Sequence, residues 1–565
     1  MRARQSIPLI SYVLLLAAVS VGAEKIKPRS SASPAIDAGR LLGHVKVLAS
    51  DEFQGRAPGT PGEQKTIDYI AAQFAALGLS PAGADGTFLQ PVPLVGLTPD
   101  PAMALAFSVA GNVLRLKFRD DFVAWSKRVQ KQVAVDGSEV VFVGYGIQAP
   151  EFNWDDIKGV DLRGKTLLVL VGDPPVPDPE DPTKLDPHVF AGNTMTYYGR
   201  WTYKYELAAR LGAAAVLIVH ETGPAGYPFT VVQGKTGEQL DLVSVAGGSD
   251  RAAVEGWITQ EQAERLLGAA GHDFSTLKRR ALDRAFKPMP LGATASITVT
   301  NSIRQVLSHN VVGRLAGSDP QGREEAVVFE AHWDHFGVGQ AVEGDRIYHG
   351  AVDNATGVAA LIELARAFRA LPVAPRRSIL FLSVTAEEQN LLGSRYYVEH
   401  PLVPLARTAA VINLESLNVL GRTRDVTVIG LGHTELDDLV KTLAAGQGRT
   451  IRPDPQPEKG SFFRSDHFPF AQAGVPFCYP APGVDFVGKP AGWGVKMRDE
   501  FTARHYHKPS DTVRPDWNLD GAIVDLQLYW RIGLAVASST DIPRFRAGSE
   551  YRQRQSVLLH PVPAE

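Results

Sequence analysis

Two short apolar runs, AVVFEA at 326–331 and SILFLSVTA at 378–386, constrain this chain more than any other feature. The first ends in His332-Trp333-Asp334-His335 and the second in Glu387-Glu388. Between them lie a loop, GAVDNATG, that carries Asp353, and a stretch with helical periodicity. Near-continuous apolar runs joined through a helix are the pattern of strands buried on both faces of a parallel sheet. In open α/β sheets, ligands sit beyond the carboxyl ends of such strands. A histidine, an aspartate and two glutamates delivered there form the donor mixture of a hydrolytic zinc site.

The same rhythm extends from about residue 290 onward. Strand-like runs ITVT, HNVVGRL, AAVINLE, DVTVIG and VPFCYP alternate with helical stripes, such as Val358, Leu361, Ile362, Ala365 and Phe368. This predicts an α/β fold with a mostly parallel, twisted sheet flanked by helices. The stretch from Ile36 to Leu79 is helical in pattern, broken by the turn-rich loop 51–60. From about 138 to 285, β-branched runs separated by Pro-rich connections predict an inserted, β-rich domain. Within it Thr259 is the expected cap of a helix, with Gln262 at the capping-box position. The expected division is therefore a signal segment at 1–23, the first part of the main domain at 24–137, the insert at 138–285, the main part at 286–545, and a peripheral tail at 546–565.

At 565 residues the chain is too long for one core. Its net charge of −3 and lack of a basic block give no sign of a nucleic-acid partner. Arg2 and Arg4, an apolar run to about Val21 and small residues near Ala23 predict a secretory signal peptide and a secreted or periplasmic protein. The run is shorter than the ~20 residues of a spanning helix, so no stable membrane insertion is expected after cleavage. The single cysteine, Cys478, excludes an intrachain disulfide and lies in an apolar strand as a small buried side chain.

The candidate metal ligands, in order, are His332, Asp353, Glu388, Glu415 and His507. Three carboxylates and one bridging hydroxide, with neutral imidazoles, would balance the charge of two Zn²⁺ per chain. Glu387, beside a ligand, is placed to take a proton from water whose pKa a metal has lowered toward ~7. His335, His349, His467 and His505 lie near these motifs and receive no ligand role. His467 and Asp466 are expected to brace the cleft wall, near Phe468 and Phe470 as pocket residues.

The stretches HWDH, GAVDNATG, TAEEQNLLGS, NLESLN, FRSDHFPFAQAGVPF and YHKPSDT, together with LASDEFQGRAPGTPGE, resemble the M28 family of zinc amino- and carboxypeptidases. The stretches GVDLRGKTLLVLVGD and ARLGAAAVLIVH are similar to a protease-associated (PA) domain. The resemblance implies a phosphorylase/hydrolase-like zinc exopeptidase fold acting on peptides. It implies that His332 and Glu415 hold one zinc, that Glu388 and His507 hold the other, and that Asp353 bridges them. Glu387 would be the general base, Asp334 would fix the tautomer of His332, and Tyr506 would stabilise the oxyanion. The family usually has aspartate where this chain has Glu415, whose extra methylene moves the carboxylate by about 1.5 Å.

The leading expectation is an aminopeptidase. A carboxypeptidase of the glutamate carboxypeptidase type needs a cationic pocket, for which Arg464, Lys489, Lys496 and Arg498 are candidates. A glutaminyl cyclase generally lacks a PA insertion, and a non-catalytic binding protein would have no need of the full ligand set. Trp493 either shapes a specificity pocket or sits in a plain surface loop.

Overall fold

The computed structural model describes residues 35–234 and 237–560. The expected signal peptide lies outside the described residues. Among the described residues no helix is long and apolar enough to cross a membrane.

The strands Ala326–His332, Ser378–Val384, Thr408–Asn413 and Phe477–Cys478 pair in parallel, with Ala326–His332 between Ser378–Val384 and Thr408–Asn413. Every residue of the first three is buried, as the unbroken apolar runs require. Alternate side chains serve opposite faces. Val327, Phe329 and Ala331 pack beneath helices Thr356–Arg369 and Asp520–Ser538. Val328, Leu380 and Leu382 face Tyr397 and Phe470 on the other side. Gly533 lets the second of those helices lie directly on the strand, because a Cβ there would collide with the Phe329 ring. The stripe Val358, Leu361, Ile362, Ala365 and Phe368 is wholly buried.

A second core gathers apolar side chains from Met103 to Val299. Its strands Thr166–Leu170, Ala215–His220 and Val254–Thr259 are parallel, and Phe122–Trp125 adds an antiparallel edge. The hairpin Ala104–Val109 and Asn112–Lys117 also belongs to it, so this core recruits strands that precede residue 138. Thr259 accepts a hydrogen bond from the Gln262 amide and caps the helix Gln260–Ala269.

The sequence patterns ITVT and HNVVGRL belong to one strand of 27 residues, Met289–Leu315. Its first half pairs with Gln132–Phe142, its middle with Leu89–Pro99, and its last five residues run antiparallel to Ser378–Val384. Residues 301–307 between the two runs are kept extended by the pairing with Leu89–Pro99. The tail after residue 545 is not peripheral either: Tyr551 is buried with Phe545, Leu391, Phe468 and Phe477.

The N-terminal helix Ala38–Leu48 is tied to the central helix by charge. Glu363 is almost wholly buried and is reached by Arg40 at 3.1 Å, Arg366 at 2.9 Å and His44 at 3.8 Å. Burial opposes its charge, but these three partners outweigh burial and hold its carboxyl at about 2. A depressed carboxyl stabilises the fold above its unfolded pKa, and that contribution is lost as pH falls from about 4.5 toward 2. Glu363→Gln is expected to cost about 2 kcal/mol at neutral pH, a figure discounted for the partly exposed arginines. The urea midpoint of the variant should also fall less steeply than the parent's across that acid window.

Candidate metal centre

Three adjacent parallel strands and two loops build the site. His332 closes Ala326–His332, Glu387 and Glu388 follow Ser378–Val384 after a left-handed Ala386, and Glu415 lies two residues past Thr408–Asn413. Asp353 sits just before the helix Thr356–Arg369, and His507 follows the helix Trp493–Arg504. Buried side chains fix these loops. The Asp511 carboxylate accepts the amides of Val352 and Asp353 at 3.0 Å. Asn354 donates to the Leu414 carbonyl at 3.0 Å and accepts from the Ser416 amide at 3.1 Å, which locks the Asp353 loop to the Glu415 loop.

The sequence-predicted ligands converge. One oxygen of Asp353 lies 3.3 Å from His332 Nε2 and the other 3.2 Å from His507 Nε2. Glu415 Oε1 is 3.3 Å from His332 Nε2, and Glu388 Oε2 is 3.2 Å from His507 Nε2. Glu415 also accepts from the Ser465 hydroxyl at 2.9 Å. Two donor sets thus share Asp353. The longer Glu415 side chain still reaches its imidazole.

His335, assigned no ligand role from sequence, stands beside the second set, its Nδ1 2.8 Å from Glu388 Oε1. The donors of His335, Asp353 and Glu388 all lie within 4.8 Å of one another, as do those of His332, Asp353 and Glu415. His335 therefore competes with His507 as the second set's nitrogen. His335 Nε2 is buried without a hydrogen-bond partner, and the close approaches of His335 Nδ1 to Glu388 Oε1 and of His507 Nε2 to the Asp353 and Glu388 oxygens lack hydrogen-bond geometry. A buried donor or acceptor left unpaired costs about 1–3 kcal/mol, and a divalent cation would satisfy this constellation.

The electrostatics agree. Burial, together with the charges of Glu388, Glu415 and Asp466, pushes Glu387 well above the carboxylate range. Glu388 is pushed up to about 8 by burial, with Asp353 and Asp334 adding to it. Burial would raise Asp353 too, but the imidazoles of His332 and His507 hold it well below the usual range.

Asp334 acts differently from the expectation. His332 Nδ1 is 3.1 Å from the main-chain carbonyl of Asp334 and 3.7 Å from its carboxylate. The carbonyl can only accept, so Nδ1 carries the hydrogen and Nε2 faces the carboxylates. The Asp334 carboxylate instead accepts the amides of Glu387 at 3.0 Å and Glu388 at 3.3 Å. It orients the glutamate pair.

Arg56, in the turn-rich N-terminal loop, carried no functional reading. It is fully buried, and its guanidinium donates to the carbonyls of Leu48, Trp333, His349 and Gly350 at 2.7–2.8 Å. Burial lowers its pKa only to about 10, with Asp511, Asp334 and Asp353 opposing the shift, so it stays charged. The local signal was an arginine next to Gln54 and Gly55, which both take positive φ.

The site opens into a cavity of about 1360 Å³ lined by both halves of the chain, with Arg200, Tyr227 and Trp257 contributed by the second core. Of the candidate cations, Arg464 and Arg498 line the cavity. Arg464 donates to the Tyr506 hydroxyl at 2.9 Å, and Arg498 lies 3.6 Å from Asp454. Lys489 stacks over Trp493, and Lys496 lies 3.8 Å from Glu500; Lys489, Lys496 and Trp493 do not line it. Phe468 is in the wall, whereas Phe470 turns into the core. His467 is wholly buried among Phe462, Phe477 and Tyr479, and burial lowers its pKa to about 3.

Arg56→Lys keeps the charge but cannot span four carbonyls. The variant is expected to lose more than about 3 kcal/mol in urea unfolding. Unchanged stability would show that the guanidinium is dispensable.

The chain is similar to leupeptin-inactivating enzyme 1 of Streptomyces exfoliatus, 26% identical over 208 residues, which is 36% of this chain and 43% of that protein. It is similar to aminopeptidase NAALADL1 of Mus musculus, 34% identical over 142 residues, 24% of this chain and 17% of that protein. The chain spans less than half the length of these curated relatives. A solved aminopeptidase from Aneurinibacillus sp. strain AM-1 aligns over 90% of this chain and 95% of its own, at 20% identity and a TM-score of 0.49. Residues 310–531, which contain all five converging candidates, match the model of Peptidase family M28.

Proposed function

We propose that the chain is a secreted or periplasmic dinuclear zinc exopeptidase that removes N-terminal residues from peptides. The observation that carries this reading is Asp353, whose two oxygens each face a different imidazole at 3.2–3.3 Å. His332, Glu415 and Asp353 would hold one ion, and Glu388, His507 and Asp353 the other. Bound metal would supply a water of lowered pKa and polarise the scissile carbonyl.

The chain's own groups account for the proton and the charge. Glu387 lies in the cavity wall, its Oε2 4.0 Å from His332 Nε2, and its raised pKa suits a group that takes up a proton and returns it to the leaving amine. Asp334 fixes its backbone. The Tyr506 ring stacks on His507 at 3.6 Å, and its hydroxyl oxygen already accepts from Arg464. The phenolic hydrogen is thereby left free to donate to a developing oxyanion. The carboxylates of Glu415, Glu387 and Asp353 favour a substrate ammonium group. The segment 138–285 is read as a PA-like domain that roofs the cavity.

A carboxypeptidase is the second reading, favoured by Arg464 in the cavity wall. Dipeptides blocked at the amine or at the carboxylate separate the two. Aminopeptidase activity requires the free amine, and cleavage of the amine-blocked set would promote the rival. Glu387→Gln is expected to retain the metal content of the parent while kcat falls about 10²–10⁴-fold. Asp353→Asn should lose metal from both halves of the site, as read by elemental analysis of the dialysed protein. Sequencing of the exported protein's N-terminus tests cleavage near residue 23.

A further inference from the structure

The second donor set contains one nitrogen more than the proposed ligands use. Glu388 turns its two oxygens to two different imidazoles: Oε1 lies 2.8 Å from His335 Nδ1, and Oε2 lies 3.2 Å from His507 Nε2. His507 Nε2 also faces Asp353 at 3.2 Å, and the donors of His335, Asp353 and Glu388 lie within 4.8 Å of one another. The two imidazoles therefore do not exclude each other.

At 2.8 Å, His335 Nδ1 and Glu388 Oε1 are as close as hydrogen-bonded atoms, yet they lack hydrogen-bond geometry. Two such atoms with no hydrogen aimed between them repel, unless a cation joins their lone pairs. His335 Nε2 has no partner either, so no hydrogen bond has to break before the ring ligates. A histidine buried only for packing is normally paired, because an unpaired buried nitrogen costs about 1–3 kcal/mol. The nearby His349 has its Nδ1 on the Ala49 carbonyl at 3.1 Å. His467 also lacks partners, but aromatic rings surround it, whereas His335 faces two carboxylates of the site.

The His335 ring is placed from within the core. Its side chain is fully buried, and its amide donates to the Arg56 carbonyl at 3.4 Å. Gly350 lies directly on the ring, since a Cβ there would stand 2.6 Å from His335 Cγ, and the Phe336 ring meets it edge-on at 5.0 Å. The neighbouring Asp334 holds the Glu388 amide, so one turn of chain orients both the ring and the carboxylate it faces. His507 arrives differently. Its side chain is 20% exposed, its backbone is left-handed, and it follows the helix Trp493–Arg504, in which only Gly494 is buried.

We propose that His335 is a sixth ligand, so that the second ion is held from the core side by His335, Asp353 and Glu388 and is closed from the surface side by His507. This rests on the dinuclear peptidase reading. The second site then offers two imidazoles where the first offers one. Imidazole suits zinc, and carboxylate suits manganese, so zinc is expected to fill the second site first.

X-ray absorption of the parent protein loaded with zinc counts the imidazoles without any variant. Three rings shared by two ions give about 1.5 per ion, against about 1 for His332 and His507 alone. The lower count overturns the assignment. His335→Asn keeps a hydrogen-bond donor beside Glu388 but ligates poorly. It should weaken the second ion more than about 100-fold in competition with a chromophoric chelator, beyond the roughly 10–100-fold of a lost outer partner. A smaller loss marks an outer partner and overturns the ligand role. His335→Cys loaded with Co²⁺ should show the near-ultraviolet charge-transfer band of a cobalt–thiolate bond, which the parent lacks and a structural role would not produce. Bound cobalt without that band overturns the proposal as well. If neither variant folds, the imidazole count of the parent decides alone.

Peptide turnover by the zinc-loaded parent is read separately. Three imidazoles without turnover would sink the peptidase reading and keep the ligand. Turnover with only two imidazoles would do the reverse.

Discussion

A buried guanidinium underlies the site. Arg56 sits in protein on all sides and satisfies four main-chain carbonyls, from Leu48 in the first helix to Gly350 in the Asp353 loop. A charge in such a place is tolerated only when its donors are paired and compensating charge lies nearby. Both conditions hold, because Asp511, Asp334 and Asp353 surround it. The loop that carries His332 and the loop that carries Asp353 are therefore held by the same side chain. Asn354 and Asp511 extend that locking to the Glu415 loop and to the segment after His507. The ligands are placed by a hydrogen-bonded network under them rather than by contacts among themselves.

That distinction matters because the ligands repel one another. Asp353, Glu387, Glu388 and Glu415 crowd into one crevice, and protonation of Glu387 and Glu388 is favoured over charge. Without a supporting shell such a cluster would relax apart. The strand ends supply rigidity from below, since the sheet is packed on both faces. Asp334 adds rigidity from the side by holding the two glutamate amides. The site is thus strained in charge and relaxed in geometry, the state in which a cation binds with little rearrangement.

Much of this was legible because it is local. The candidates His332, Glu388 and Glu415 follow strand runs that end at reactive residues, Asp353 and His507 sit in loop motifs, and all five lie in the crevice. What escaped the sequence depends on contacts between distant segments. Arg56 has partners up to 294 residues away, and nothing in QGRAP announces them. His335 looked like a bystander because only the fold brings its ring to Glu388. The carbonyl of Asp334, not its carboxylate, meets His332, a choice set by backbone direction that side-chain chemistry does not reveal. Arg200 lies in the inserted half, whose position over the crevice no periodicity records. Tyr551 looked peripheral because its partners, Phe477 and Phe468, belong to other elements.

The strand Met289–Leu315 joins the two cores by a continuous ladder rather than by a linker. Side chains on a strand alternate with a period of two, so inward and outward positions in both cores are counted along one backbone. Deleting or adding a single residue between 301 and 307 would keep the alternation correct on one side and invert it on the other. The insert is consequently not a module that drifts freely in length at its return junction. Its boundary there can change only in steps of two residues, or through a bulge that absorbs the odd one.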